Sequence, residues 1–365
     1  MSFIRSYDEI LTQIDAIDPV AFAKTRNHLT GAVSRLSPYI TRGLITLPEV
    51  RDRVLRHSSA VAANKFIQEL AWREYFQNVW WARSDDIFTD LRFGRSDWRH
   101  QQWVAAITEA TTGIKVIDAA IQELYTTGYM HNHARMWVAA LACNLAKAHW
   151  LPMSRWLYYY LLDGDLASNT LSWQWVAGTS VNKRYDCNQA LINGCSTTQQ
   201  TNSFLNIDRS DLHTIPIPEQ LQVSVPVQLS LELPAGDTVT SVSGQRVALY
   251  HPWHLAPNWR ADEVWDRRLL VIEPSHFVRF PVSEQVLQFI IRQAYTLLPE
   301  LELYVGEVSD IPDLAAATAV HTCAYPAIVH WPIPQDEPPR LFPAVTGYYP
   351  SFFKYWQAVQ RSGLW

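Results

Sequence analysis

This 365-residue chain is poor in cysteine. Its four Cys stand at 143, 187, 195 and 323, with no C-x-x-C pair among them. That spacing excludes a dithiol redox motif and a structural zinc site. Reduced, cytosolic thiols are the default for such a set. The N-terminal MSFIRSYDEI lacks the apolar run of a signal peptide. No stretch reaches the roughly eighteen apolar residues of a membrane span. The expectation is a soluble, cytoplasmic protein with no membrane partner. No internal repeat is found. A general excess of positive charge is also missing: the net charge is −5. The balance is uneven, with 20 Lys+Arg against 18 Asp+Glu in residues 1–200 and 10 against 17 in residues 201–365. A nucleic-acid partner needs a basic face. The first part permits one, and the second is unsuited to direct contact with DNA.

Tryptophan is abundant instead. There are sixteen, ten of them before residue 200. Core filling accounts for most of them, because Trp buries a large apolar area. Some are placed to stack on bases or carry electrons. Residues 1–180 read as helices: 62–81, 114–125 closed by Gly128, 133–149, and 152–162 with Pro152 in the first turn. No alternating strand pattern interrupts them. Residues 195–203 read as a polar loop, and the proline-rich stretch 214–236 as a linker. Short apolar runs follow at 247–250, 269–272, 301–305 and 319–321, with a helical stretch at 283–298. Strand, helix, strand at this spacing suggests a small parallel α/β domain. The expected organisation is a helical domain over 1–213, a linker over 214–240, and an α/β domain with a C-terminal helix over 241–365.

Four constellations carry chemistry. Val33-Ser34-Arg35-Leu36-Ser37-Pro38-Tyr39 puts hydroxyls on a turn entering a helix, where free amides favour phosphate oxygens; an ordinary N-cap has the same look. In Glu69-Leu70-Ala71-Trp72-Arg73-Glu74, residues 69, 72 and 73 share one helix face. They suit an aromatic ligand with phosphates, and equally an intrahelical Glu69–Arg73 pair. Met130-His131-Asn132-His133-Ala134-Arg135-Met136 places Asn132 and Met136 at i, i+4. Its two His have no third ligand for a metal site. Asp163-Gly164-Asp165 through Ser168-Asn169 to Trp173-Gln174-Trp175 joins two carboxylates to two Trp. These carboxylates could bind Mg²⁺, do acid–base work, pair Arg135, or meet a heterocycle's N–H. Capping plus core packing does not explain why these types gather in one segment.

Together with Thr112-Gly113…Asp118-Ala119, these segments occur in the order and rough spacing of the photolyase/cryptochrome family. Over about residues 20–180 the chain resembles that family's helical FAD-binding domain. The fold class implied is mainly α, with a helical FAD-binding photolyase domain followed by a small α/β domain. Photolyases usually begin with an α/β antenna domain, and this chain looks like a short, divergent branch without one at its N-terminus. Tyr348-Tyr349-Pro350-Ser351-Phe352-Phe353-Lys354-Tyr355-Trp356 is similar to the segment that ends antenna domains, so the C-terminal half is expected to be either a circularly permuted antenna-like domain or an unrelated α/β cap. Any antenna chromophore is left unspecified.

The resemblance implies roles. Ser34, Arg35, Leu36, Ser37 and Arg73 would hold the pyrophosphate region of FAD. Asp163 would pair Arg135, and Asp165 would accept a hydrogen bond from the isoalloxazine edge. Asn132 would touch both cofactor and substrate, and Asn169 would sit beside the flavin's reactive nitrogen. Trp173 and Trp150 would relay electrons, with Trp98 or Trp103 outermost. Glu69, Trp72, Asn132, Met136 and Trp175 would form the substrate pocket. The Asn132/Met136 pair, where the (6-4) class has two His, implies cyclobutane pyrimidine dimers as substrate. The implied partner is dimer-containing DNA, single-stranded or distorted by preference. The alternatives are a cryptochrome-like photoreceptor using the same FAD site and a redox flavoprotein without a light role. Val33, Tyr129, Leu171-Ser172 and residues 182–188 depart from the family pattern, so FAD binding is carried further than the DNA grip.

Overall fold

The computed structural model describes residues 3–363 and 365. The helical half runs α1 (Tyr7–Asp15), α2 (Pro19–Thr25), α3 (Ser37–Thr41), α4 (Leu47–Leu55), α5 (Ala60–Arg83), α6 (Ala105–Thr108), α7 (Lys115–Thr127), α8 (Asn132–Ala140), α9 (Trp150–Tyr160), α10 (Leu166–Ala177) and α11 (Gln189–Gly194). α5 is its spine. Ser59 caps it by accepting from the Ala62 amide, and buried residues at 63, 66, 67, 70, 71, 74, 75, 78 and 79 form one continuous stripe. α10 is buried on most of its circumference, Thr170 and Gln174 included: Asp165 caps its start, and Gly178, in the left-handed region at φ 82°, ends it. The tryptophans do what their bulk dictates. Trp137, Trp150 and Trp156 are fully buried, each removing roughly 200 Å² from water, on the order of 5 kcal/mol before entropy.

The helical reading of residues 1–180 meets one exception. β1 (Trp103–Val104) pairs antiparallel with β2 (Ser224–Val225) from the proline-rich stretch. The pairing is only two residues long and has no alternation to read. The long-range partner makes it a strand.

The second half contains β3 (Arg246–Tyr250), β4 (Arg267–Ile272), α12 (Pro274–Arg279), α13 (Glu284–Leu297), β5 (Leu301–Val305), β6 (Ala319–Cys323), β7 (Gln335–Asp336) and α14 (Phe352–Arg361). Its strands form one parallel sheet in the order β5-β4-β3-β6-β7. That is a doubly wound order, with its switch point between β3 and β6. β3 and β4 are buried over most of their length, as parallel strands covered on both faces must be.

The halves share a core. Val286, Leu287 and Ile290 of α13 pack in one cluster with Phe66, Ile67 and Leu70 of α5. Gly43, at φ 61°, meets the loop after β3 so closely that a Cβ there would lie 2.4 Å from the Trp253 carbonyl oxygen. Arg42, fully buried, donates to the carbonyls of Leu162 and Pro252. Glu74 of α5 accepts from the Leu341 and Phe342 amides and the Tyr355 hydroxyl. The helical and α/β halves are therefore docked by buried polar contacts as well as by apolar packing. Among the described residues, no helix is long and apolar enough to cross a membrane.

Candidate flavin and substrate site

The site is built where α3, α5, α8 and the 163–165 turn meet. The chain turns sharply at Arg35, whose φ of 52° is in the left-handed region. Its guanidinium lies 5.0 Å from the Tyr129 ring centroid. Leu36 is buried and immediately precedes the short helix α3. Ser34 offers its carbonyl to Gln13, and its hydroxyl sits 3.5 Å from the Leu36 amide. The Ser37 hydroxyl acts on Asp163, drawing its carboxyl downward. Arg73 donates to the Thr41 hydroxyl, which donates onward to the Asp163 carbonyl.

Asp163 is the electrostatic centre. Arg135 Nη2 donates to both of its carboxylate oxygens, at 3.0 and 2.9 Å. Arg135 Nε also holds the Met130 carbonyl. Burial pushes the Asp163 carboxyl up, but the attraction and hydrogen bond of Arg135, the Ser37 hydroxyl and the more distant Arg73 outweigh it. The net direction is below the usual carboxylate range. Two residues on, Asp165 accepts from the Ser168 amide at 2.6 Å. It also accepts from the Gln77 amide and, at 2.8 Å, from the Tyr325 hydroxyl. Asn169 Nδ2 donates to the Ser154 carbonyl.

His131 caps α8 through Nδ1, which accepts from the His133 amide. Burial and the neighbouring His133, Arg135 and Arg35 push its pKa down to about 4, so the ring is neutral. That leaves the proton on Nε2, which is buried without a partner; so is Ser168 Oγ. Buried polar atoms without partners are uncommon and call for an explanation. Along the chain the two flank the Arg135–Asp163–Asp165 cluster, His131 preceding Arg135 and Ser168 following Asp165. A polar heterocycle carrying phosphates fits this set: cations at Arg73 and Arg135, hydroxyls at Ser37 and Ser168, and an imidazole donor.

The substrate-side residues are distributed differently. Glu69 pairs with Arg26 at 3.3 Å and Lys65 at 2.8 Å, not with Arg73. Trp72 lies flat on Phe352, with centroids 3.8 Å apart and planes 9° apart. Trp72 and Trp175 line one cavity of about 290 Å³, whose far wall is made by residues 348–356. Trp175 is 37% exposed. Asn132 is exposed at the start of α8, and Met136 is half-buried. Glu69, Asn132 and Met136 are not walls of that cavity.

Trp173 and Trp150 are buried in the same core cluster. Trp150 donates to Asp90 and lies against His149, centroids 5.5 Å apart; His149 in turn lies 5.1 Å from Trp98. Trp103 donates instead to the Pro152 carbonyl. The Thr112-Gly113…Asp118 motif is a local turn, in which the Asp118 carboxylate collects the amides of 112 and 113 and the Thr112 hydroxyl. Sequence reasoning missed Gln77 and Tyr325. Gln77 follows Glu69 and Arg73 at i+8 and i+4 on α5, a periodicity that could have flagged it. Tyr325 has no local signal, being 160 positions from Asp165.

Residues 66–203, which contain α5, α8, the 163–165 turn and α10, match the family model described as the FAD-binding domain of DNA photolyase. A helical flavin-binding domain is thus the class that fold and site define. The deoxyribodipyrimidine photo-lyase of Streptomyces griseus is 35% identical over 154 residues, 42% of this chain and 34% of that protein. A Thermus thermophilus protein of the same name is 32% identical over 167 residues, 44% of this chain and 39% of that one. A chloroplastic/mitochondrial cryptochrome DASH of Ostreococcus tauri is 32% identical over 166 residues, 43% of this chain and 30% of that one. The matched region spans only a third to two fifths of the first two relatives. A solved Synechocystis sp. PCC6803 cryptochrome shares the fold, with a TM-score of 0.50 at 24% identity, over 53% of this chain and 44% of that one. Over residues 66–203 the chain is similar to the FAD-binding domain of photolyases and cryptochromes.

Proposed function

We propose that this chain splits cyclobutane pyrimidine dimers in DNA under light, with FAD held between α3, α5, α8 and α10. The observation that carries the reading is the single rigid element from Asp163 to Trp175. It delivers Asp165, Asn169 and Trp173 from one capped helix whose start is fixed by the buried Arg135–Asp163 pair. Reduced FAD supplies one-electron donation on excitation. Ser34, Arg35, Leu36, Ser37 and Arg73 bind the phosphate region, and Asp165, Asn132 and Asn169 orient the ring system. Trp173, Trp150 and then Trp98 relay electrons from the surface. The ring contacts through His149 favour Trp98 over Trp103 as the outermost member. On the substrate side, Trp72 and Trp175 stack on the extrahelical bases, and Glu69 leaves its surface partners Arg26 and Lys65 to hydrogen-bond the pyrimidine. Dimer splitting needs no proton donor, which agrees with Asn132 and Met136 in place of His. Unstacking is cheaper in single-stranded or distorted DNA, so those are the expected partners. The α/β half is a permuted antenna-like domain, its doubly wound sheet following the helical half.

One observation favours a second reading, a cryptochrome-like photoreceptor. Phe352 already occupies one face of Trp72, as a built-in segment that responds to the flavin would. The test illuminates the reduced protein with oligonucleotides carrying a cyclobutane dimer or a (6-4) product, for wild type and Glu69→Ala. Dimer loss that falls roughly tenfold or more in Glu69→Ala is expected, the size of one hydrogen bond lost to a charged intermediate. Equal or faster loss of the (6-4) product overturns the lesion assignment. No loss of either, with normal photoreduction, selects the photoreceptor reading.

A further inference from the structure

We propose that Tyr325, supplied by the α/β half, is a positioning residue of the flavin site that fixes the Asp165 carboxylate and ties cofactor retention to the docking of the two halves. The inference rests on the reading above that Asp165 faces the flavin's polar edge.

Tyr325 follows β6 at the carboxyl end of the sheet, beside the switch point with β3. In doubly wound sheets this is where ligand-directed groups gather. Here the crevice is filled by the chain itself. The Tyr325 ring stacks on Trp253 from the loop after β3, with centroids 5.0 Å and planes 4° apart. It meets Trp80 of α5 edge-on at 5.6 Å. Rings from both halves thus hold Tyr325 in place. The residue as a whole is half-buried, yet its hydroxyl is enclosed. An enclosed hydroxyl must find an acceptor, and the acceptor is Asp165 Oδ2 at 2.8 Å.

The geometry at Asp165 gives this bond its meaning. A carboxylate offers about four acceptor positions. The Ser168 amide takes one on Oδ1, and Gln77 and Tyr325 take two on Oδ2. The plane of the carboxylate is fixed by three donors from three elements: α10, α5 and the turn after β6. One acceptor direction remains for a ligand N–H, preorganised because its supports cannot move independently. A Phe at 325 would keep both ring contacts and remove only the donor. The carboxylate would then be free to rotate, and a ligand would have to immobilise it on binding.

The experiment uses FAD-loaded Tyr325→Phe. Three quantities are read: the rate of FAD release on dilution, the vibronic structure of the flavin absorption band, and Tm. Asp165→Ala reports the underlying reading. Gln293→Ala is the control for loosening between the halves, because Gln293 exchanges two hydrogen bonds with the Arg5 backbone and none with Asp165 or its three donors. The expected result for Tyr325→Phe is about tenfold faster FAD release, the size of one hydrogen bond to a charged group, with an altered absorption band. Gln293→Ala should lower Tm while keeping wild-type release and spectrum, and Tyr325→Phe should add nothing in an Asp165→Ala background. Wild-type release and spectrum in Tyr325→Phe, with Asp165→Ala weakened, overturn the inference alone. So do flavin changes in Gln293→Ala that match those of Tyr325→Phe. Unchanged FAD retention in Asp165→Ala overturns both the inference and the reading beneath it.

Discussion

Replacing Arg135 by Met should destabilise the protein by about 3 kcal/mol at pH 7, and the loss should shrink on acidification. Arg135 Nη2 bonds both oxygens of Asp163, whose side chain is 4% exposed against 21% for Arg135. Removing one partner of a buried pair costs about 3–5 kcal/mol, because the other charge stays buried alone. The partial exposure of Arg135 puts the value at the lower end. At about 1.4 kcal/mol per decade, the folded-to-unfolded ratio falls by roughly two orders of magnitude. The pH dependence follows from the Asp163 carboxyl, held below its ordinary value by Arg135, Ser37 and Arg73 against burial. A depressed carboxyl contributes stability that is present above its unfolded pKa and lost as pH falls through the folded value. In Arg135→Met, burial prevails and the shift reverses. The variant is then penalised most at neutral pH and least where the carboxyl is protonated. Urea denaturation of both proteins at pH 7 and pH 5 measures this, and Arg135→Met/Asp163→Asn should recover much of the loss. A deficit below about 1 kcal/mol at pH 7, or one that does not change between the two pH values, would refute the argument from the buried pair.

Three other outcomes are expected. Trp173→Phe and Trp98→Phe should slow blue-light reduction of bound FAD sharply while Trp103→Phe leaves it near wild type; equal rates in Trp98→Phe would remove that residue from the relay. Glu74→Ala strands the amides of Leu341 and Phe342 and the Tyr355 hydroxyl, a loss of about 3 kcal/mol, and should make α14 the first site of limited proteolysis; an unchanged cleavage pattern would count against the clamp. His251, His254 and His276 are buried neutral, their pKa values pushed down by burial to about 4, 3 and 3. Protonation therefore favours the unfolded chain, and stability should fall below pH 6.5 by up to about 1.4 kcal/mol per pH unit for each histidine; a Tm independent of pH between 6.5 and 5 would contradict it.

Local chemistry was legible because it is written in neighbouring residues. Helical periodicity and turn signals gave α5, α7 and α9, and the apolar runs gave β3 to β6, each to within about two residues. The clustering of Asp163, Asp165, Asn169 and Trp173 marked a candidate site, since a turn followed by a capped helix brings such residues together whatever surrounds them. The sheet order and the docking of the halves were not legible, because no spacing in the chain encodes which distant surfaces meet. The same limit hid Arg26 as a partner of Glu69: i, i+4 spacing offered Arg73 on one side and Lys65 on the other, and the fold uses Lys65 together with the distant Arg26. It also hid Phe352 on Trp72 and Tyr325 on Asp165. The sequence alone determined which residues could hold a flavin. Tertiary structure decided which donors fix them, because a buried carboxylate takes its partners from whatever fold closes over it.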